Sequence, residues 1–122
     1  METTLPTPPS GPSRLRVHNE WTETTVWLLE RTARFPQRLR HSLTVRMENV
    51  AIEALEELTA AAWTSRPQAP LSRAGDALNR LRALARLAHG LRALSDGQLA
   101  ELARRLDAVG AGIGAWRASC GR

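Results

Sequence analysis

Between Leu71 and Leu91 an apolar side chain recurs every three or four residues: Leu71, Ala74, Leu78, Leu81, Leu84, Ala85, Ala88 and Leu91. That spacing gives one continuous stripe on an α-helix and no stripe at all on a β-strand. A stripe this long must be covered, and the sequence offers other helices of the same kind to cover it. Met47, Val50, Ala51, Ala54, Leu55, Leu58 and Ala62 repeat the pattern over residues 44–63. Leu99, Leu102, Leu106, Val109, Ile113 and Trp116 repeat it again up to Ser119.

Helix ends are marked as clearly. Pro36 closes a first helix expected over residues 22–34, since the residue before a proline avoids the helical region. Val26, Leu29 and Ala33, widened by Trp27 and Leu28, are its expected buried stripe. Phe35 to His41 reads as a connector, and Thr44 as the N-cap of the second helix, with Met47 where a Glu partner would stand. Pro67 and Pro70 separate the second and third helices, the third expected over residues 71–93. Ser95 with Gln98 forms a capping box, and Asp96 suits the positive end of a fourth helix. Short connections make consecutive helices antiparallel neighbours. The expected fold is all-α, an up-down-up-down four-helix bundle over residues 20–119. Residues 1–19, with Pro6, Pro8, Pro9 and Pro12, read as a flexible Pro-rich tail, and residues 120–122 as a C-terminal tail.

The 122 residues carry a formal net charge of +5 with all seventeen basic residues Arg and none Lys. Guanidinium pairs bidentately with phosphate and carboxylate and stacks on bases, so the balance favours a nucleic acid or an acidic partner. The charge is also segregated. Four Glu against Arg46 leave the second helix at −3, and five Arg against Asp76 leave the third at +4. Two arrangements satisfy this: ion pairs inside one bundle, or the acidic face of one subunit on the basic face of the next. Arg82, Arg86 and His89 fall on one side of the third helix's apolar face, Arg73 and Arg80 on the other. Five Arg and no acid lie from Arg31 to Arg46.

Signatures of catalysis are sparse. Gly110-Ala111-Gly112-Ile113-Gly114-Ala115 matches a dinucleotide fingerprint formally, but it sits inside a helix with no strand before it, so no cofactor is expected. Gly110 and Gly114, four apart, share a face that allows close approach of another helix, within the chain or across a subunit contact. The Arg34–His41 and Arg82–His89 spacings are similar to that of small helical ribonucleases of the HEPN type, without the polar residue usual after the Arg. Cys120 alone permits no intrachain disulfide and no metal cluster. Neither a secretory leader nor a membrane-spanning run is present, and a cytoplasmic location is expected.

Four stretches together carry a family resemblance. They are Trp27-Leu28-Leu29-Glu30-Arg31-Thr32 with Phe35-Pro36 and Arg38; Arg46-Met47-Glu48-Asn49; Leu81-Arg82-Ala83-Leu84-Ala85-Arg86-Leu87-Ala88; and Arg104-Arg105-Leu106-Asp107 with Gly110, Gly114, Ala115 and Trp116. In order and spacing they resemble the accessory variability proteins of diversity-generating retroelements. The resemblance implies a four-helix bundle assembled as a basic homopentameric barrel. It implies binding to the element's reverse transcriptase, support of mutagenic copying of template RNA into cDNA, and no active site. Arg82 and Arg86 match basic positions of the family's third helix and are the foremost candidates for contact with phosphate or polymerase. Arg38, Arg40, Arg73 and Arg80 are further candidates from composition. A related four-helix family, encoded by intervening sequences of ribosomal RNA genes, shares the Phe35-Pro36 and Leu-Arg patterns and is the alternative.

Overall fold

A computed structural model describes residues 12–120, with side chains from residue 14 onward. Four helices make up the described chain: α1 (Pro12–Thr32), α2 (Val45–Ala62), α3 (Gln68–Gly90) and α4 (Asp96–Cys120). Each packs on two others, α1 and α3 both lying between α2 and α4, with the most extensive contact between α2 and α3. Side-chain pairs fix the directions. Between α1 and α2 they run from His18–Thr59 to Thr32–Glu48. Between α2 and α3 they are Arg73–Glu57 and Arg80–Glu53. Between α3 and α4 they are Arg82–Asp107 and His89–Asp96. In every pair one number rises as the other falls, so all neighbours are antiparallel. The expected up-down-up-down bundle is what forms.

The first helix departs most from expectation. It starts at Pro12, ten residues before Thr22, so residues 12–19 are helix and not tail; residues 1–11 lie outside those described. A proline at the first turn costs little, because its missing N–H has no partner there anyway. The buried face is also a different one: Val17, Trp21, Thr24, Thr25, Leu28 and Thr32. Val26, expected inside, is 55% exposed. Threonines explain the difference. Thr24 and Thr25 donate to the carbonyls of Glu20 and Trp21 at 2.8 Å, so their hydroxyls are satisfied within the helix and their methyls can be buried. Trp21 anchors the helix by donating its indole N–H to the Ala51 carbonyl of α2 at 3.0 Å, at no exposure.

At the corner, Phe35, Leu39 and Leu43 are buried. The backbone between them winds through a 3-10 turn (Gln37–Leu39) and a π-helical turn (Arg40–Thr44) that runs straight into α2. Thr44 is therefore already helical and makes no capping bond, contrary to expectation. The capping box at α4 does form: Ser95 Oγ accepts from the Gln98 N–H at 3.1 Å, and Gln98 Oε1 accepts from the Ser95 N–H at 2.9 Å. α3 begins at Gln68 and takes Pro70 into its first turn. α4 reaches Cys120, one residue into the expected C-terminal tail.

Among the helical glycines, close approach happens at Gly112, not at Gly110 or Gly114. A Cβ on Gly112 would lie 2.5 Å from Val17 Cγ2, whereas one on Gly114 would meet nothing within 4 Å. Val17 is 1% exposed and held by the core, so it has little room to yield. Gly112→Ala is expected to destabilise the bundle by about 1–3 kcal/mol through overpacking, despite the better helix propensity of Ala. Gly114→Ala is expected to stabilise it by up to about 1 kcal/mol. Urea unfolding followed by circular dichroism checks both; equal effects would mean that α1 and α4 do not meet there.

Candidate functional site

The antiparallel pairing decides which arginines keep their charge available. Glu53 and Glu57 stand one turn apart on the flank of α2 that faces α3. They meet Arg80 at 2.6 Å and Arg73 at 3.0 Å. The charge segregation of the sequence is thus used inside one chain. Such exposed pairs contribute about 0–1 kcal/mol each, yet they occupy the cations. On the opposite side of α3, Arg82 bonds Asp107 of α4 at 2.9 Å, and His89 bonds Asp96 at 2.6 Å. Arg82 and His89 are consequently held by separate acids, and Arg34 and His41 are both exposed on different turns of the corner.

Arg38, Arg40 and Arg86 are exposed and make no ion pair among the described residues, and Arg16, Arg34, Arg46, Arg66, Arg92 and Arg117 share that state. Six of these nine, Arg34, Arg38, Arg40, Arg46, Arg86 and Arg92, lie at one end of the bundle, where α1 turns into α2 and α3 turns into α4; Arg16, Arg66 and Arg117 lie at the other. Local structure puts them there. The apolar anchors Phe35, Leu39 and Leu43 recur every four residues and turn inward, leaving Arg38, Arg40 and His41 outside. Acids at this end are fewer than the arginines: Glu30 lies 3.7 Å from Arg31, Glu48 accepts from the Thr32 hydroxyl at 2.5 Å, and Asp96 pairs with His89. The end is therefore a concentration of unneutralised guanidinium.

Sequence reasoning singled out Arg38, Arg40 and Arg86 but passed over Arg34, Arg46 and Arg92. The acid-free run from Arg31 to Arg46 was the available signal for the first two. Arg92 carries a different one. It has φ 65, the left-handed conformation, and it completes the turn that ends α3. Its N–H donates to the His89 carbonyl at 2.9 Å, and that of Ala93 to the Ala88 carbonyl at 2.8 Å. This pair of bonds ends a helix most easily with glycine. Arg92→Gly is expected to raise stability by about 1 kcal/mol while removing a cation from the basic end. Paired measurements of unfolding and polyanion binding should therefore move in opposite directions.

A second electrostatic feature ties α1 to α4. The guanidinium groups of Arg31 and Arg105 each lie 5.2 Å from the Trp27 ring centre. Glu101 accepts from Arg104 at 2.5 Å and from Arg105 at 2.7 Å, and these bonds, Arg104's first, hold its carboxyl down to about 2. A depressed acid lends its stabilisation above its unfolded value of about 4.3 and loses it as pH falls toward the folded value. Carbon-detected NMR titration is expected to place the Glu101 midpoint near 2. Replacing both arginines with Ala should return it to the ordinary carboxylate range.

Among the described residues no group of His, Cys, Asp or Glu could hold a metal ion, and no helix is long and apolar enough to cross a membrane. No curated protein and no solved structure matches the chain significantly. The bAvd-like family model matches residues 17–120, beginning at the buried Val17 that packs against Gly112 and ending at the last residue of α4. A match over that span, which takes in the four-helix bundle from Val17 onward, places this chain in the bAvd-like family, the accessory variability determinants.

Proposed function

We propose that this chain is a non-catalytic accessory protein of a diversity-generating retroelement. It binds the reverse transcriptase and the template RNA or cDNA, works in the cytoplasm, and supports mutagenic cDNA synthesis. The observation that carries the nucleic-acid part is the cluster of six arginines without ion pairs at one end of the bundle. Guanidinium groups presented this way bind phosphate regardless of sequence, with strong dependence on salt. A protein that follows a polymerase along its template needs that kind of affinity.

The homopentameric barrel belongs to the same reading. Five of the six exposed large apolar residues, Leu15, Val26, Val45, Ile52 and Trp63, belong to α1 and α2 or the residue that caps α2. Exposed apolar side chains on two neighbouring helices support contact with another protein surface, here a second copy. Repeating the basic end around a ring multiplies a weak affinity for one polyanion strand.

Light scattering on the full chain should give the mass of a pentamer. Binding to single-stranded RNA should fall log-linearly with salt. Replacing Arg38 and Arg40 with Ala is expected to lower affinity and to flatten the slope by about 0.7 per lost phosphate contact. Replacing Arg73 and Arg80, which face Glu57 and Glu53, should change binding far less. A monomer that leaves both RNA and polymerase unbound would overturn the reading.

A further inference from the structure

One face of α2, continued back through the π-helical turn, opens into a cleft beside α3. Its cavity volume is about 370 Å³, within the range of small-molecule sites. His41, Arg46, Asn49 and Glu53 line it on one side and Arg80 on the other. Arg46, Asn49 and Glu53 stand three and four residues apart, which sets them in one row along the helix. His41 precedes Arg46 by five, and the wider π-helical turn (Arg40–Thr44) brings it to the same side. Val45 and Val50 give the cleft its apolar part.

Charge changes in steps along this row. At the mouth, beside the basic end, Arg46 is an exposed cation, and it is the last arginine before Arg66. One turn on stands Asn49, a neutral amide, and one turn further Glu53, an acid. One oxygen of Glu53 accepts from Arg80 at 2.6 Å. Its other oxygen and the side chains of His41, Arg46 and Asn49 have no partner among the described residues. Glu56 and Glu57 follow. A polyanion arriving from the basic end therefore finds a phosphate position at Arg46 and none farther along α2. What fits past Arg46 is an uncharged group rich in hydroxyls: the amide donates and accepts, and the free carboxylate oxygen accepts. The terminal nucleoside of an RNA strand has that chemistry, with two free hydroxyls on its ribose. An internal nucleotide lacks it, because its next phosphate would come up against Glu53.

Resting on the nucleic-acid part of the reading above, we infer that the α2–α3 cleft holds the 3′-terminal nucleotide of an RNA strand. Arg46 binds its phosphate, with His41 beside it. Asn49 and Glu53 hold the 2′- and 3′-hydroxyls, and Val45 and Val50 lie against its carbon atoms. The arginines of the basic end bind a strand regardless of sequence. The cleft adds a preference for the place where the strand stops, and the 2′-hydroxyl makes that an RNA end and not a DNA end.

The test measures binding of the full chain to one single-stranded RNA made with three ends: a 2′,3′-diol, a 3′-phosphate and a 2′,3′-dideoxy end. The diol is expected to bind roughly fivefold tighter than either of the others, the worth of one or two hydrogen bonds. Charge alone would reverse the order for the 3′-phosphate, since another negative group strengthens attraction to a basic surface. In Asn49→Ala the diol and dideoxy ends should bind alike. In Glu53→Gln the 3′-phosphate should bind at least as tightly as the diol. Both side chains are exposed, so the bundle folds without them. Equal affinity of the wild type for all three ends, or its tighter binding of the 3′-phosphate, overturns the end site and leaves the basic end as a nucleic-acid surface. A diol preference that survives in Asn49→Ala also overturns it. Uridine 5′-monophosphate offers the same phosphate and hydroxyls without a strand. Binding of that nucleotide to the wild type but not to Asn49→Ala, with no end preference among the RNAs, makes the cleft a free-nucleotide site and overturns the strand-end assignment. Wild-type protein that binds none of the RNAs removes the nucleic-acid reading, and this inference with it.

Discussion

The packing of α2 on α3 governs the rest of the molecule. Ala54 and Ala61 on one helix, and Ala74, Ala77 and Ala88 on the other, are fully buried. Small side chains let two helices approach closely and run alongside each other for their whole length. That alignment sets Glu53 beside Arg80 and Glu57 beside Arg73. The middle of the bundle is neutralised as a result. The larger share of the positive charge left over lies at the α1–α2 and α3–α4 turns, with Arg16, Arg66 and Arg117 at the opposite end.

The turns are built to keep that charge exposed. At the α1–α2 corner three apolar anchors fix the backbone while the arginines between them face outward. At the α3–α4 turn Arg92 occupies a left-handed position that glycine would fill with less strain. The chain thus carries a cation where local stability favours none. Besides this basic end, single apolar side chains stand exposed on α1 and α2, and an open groove lies between α3 and α4.

Where the sequence misled, the reason was specific. Val26 belongs to the apolar spacing of α1 yet lies on its outer side. The real interior face includes Thr24, Thr25 and Thr32, which become apolar in effect once their hydroxyls are bonded nearby. The start of that helix was hidden by prolines that read as a tail, although a proline in a first turn is compatible with helix. Thr44 had the composition of a cap but follows a π-helical turn, so the backbone gave it no cap to make.

The sequence by itself determined that four helices form, because apolar spacing and chain breakers act locally and need no partner to be read. It also determined that every strong cation is an arginine, and by order and spacing it pointed to the family. Only the tertiary structure decided which arginines remain available, since an ion pair depends on distances between residues far apart in the chain. The same holds for the glycines. Gly110, Gly112 and Gly114 are indistinguishable in sequence, and the Val17 methyl that makes Gly112 alone indispensable comes from a helix about ninety residues earlier.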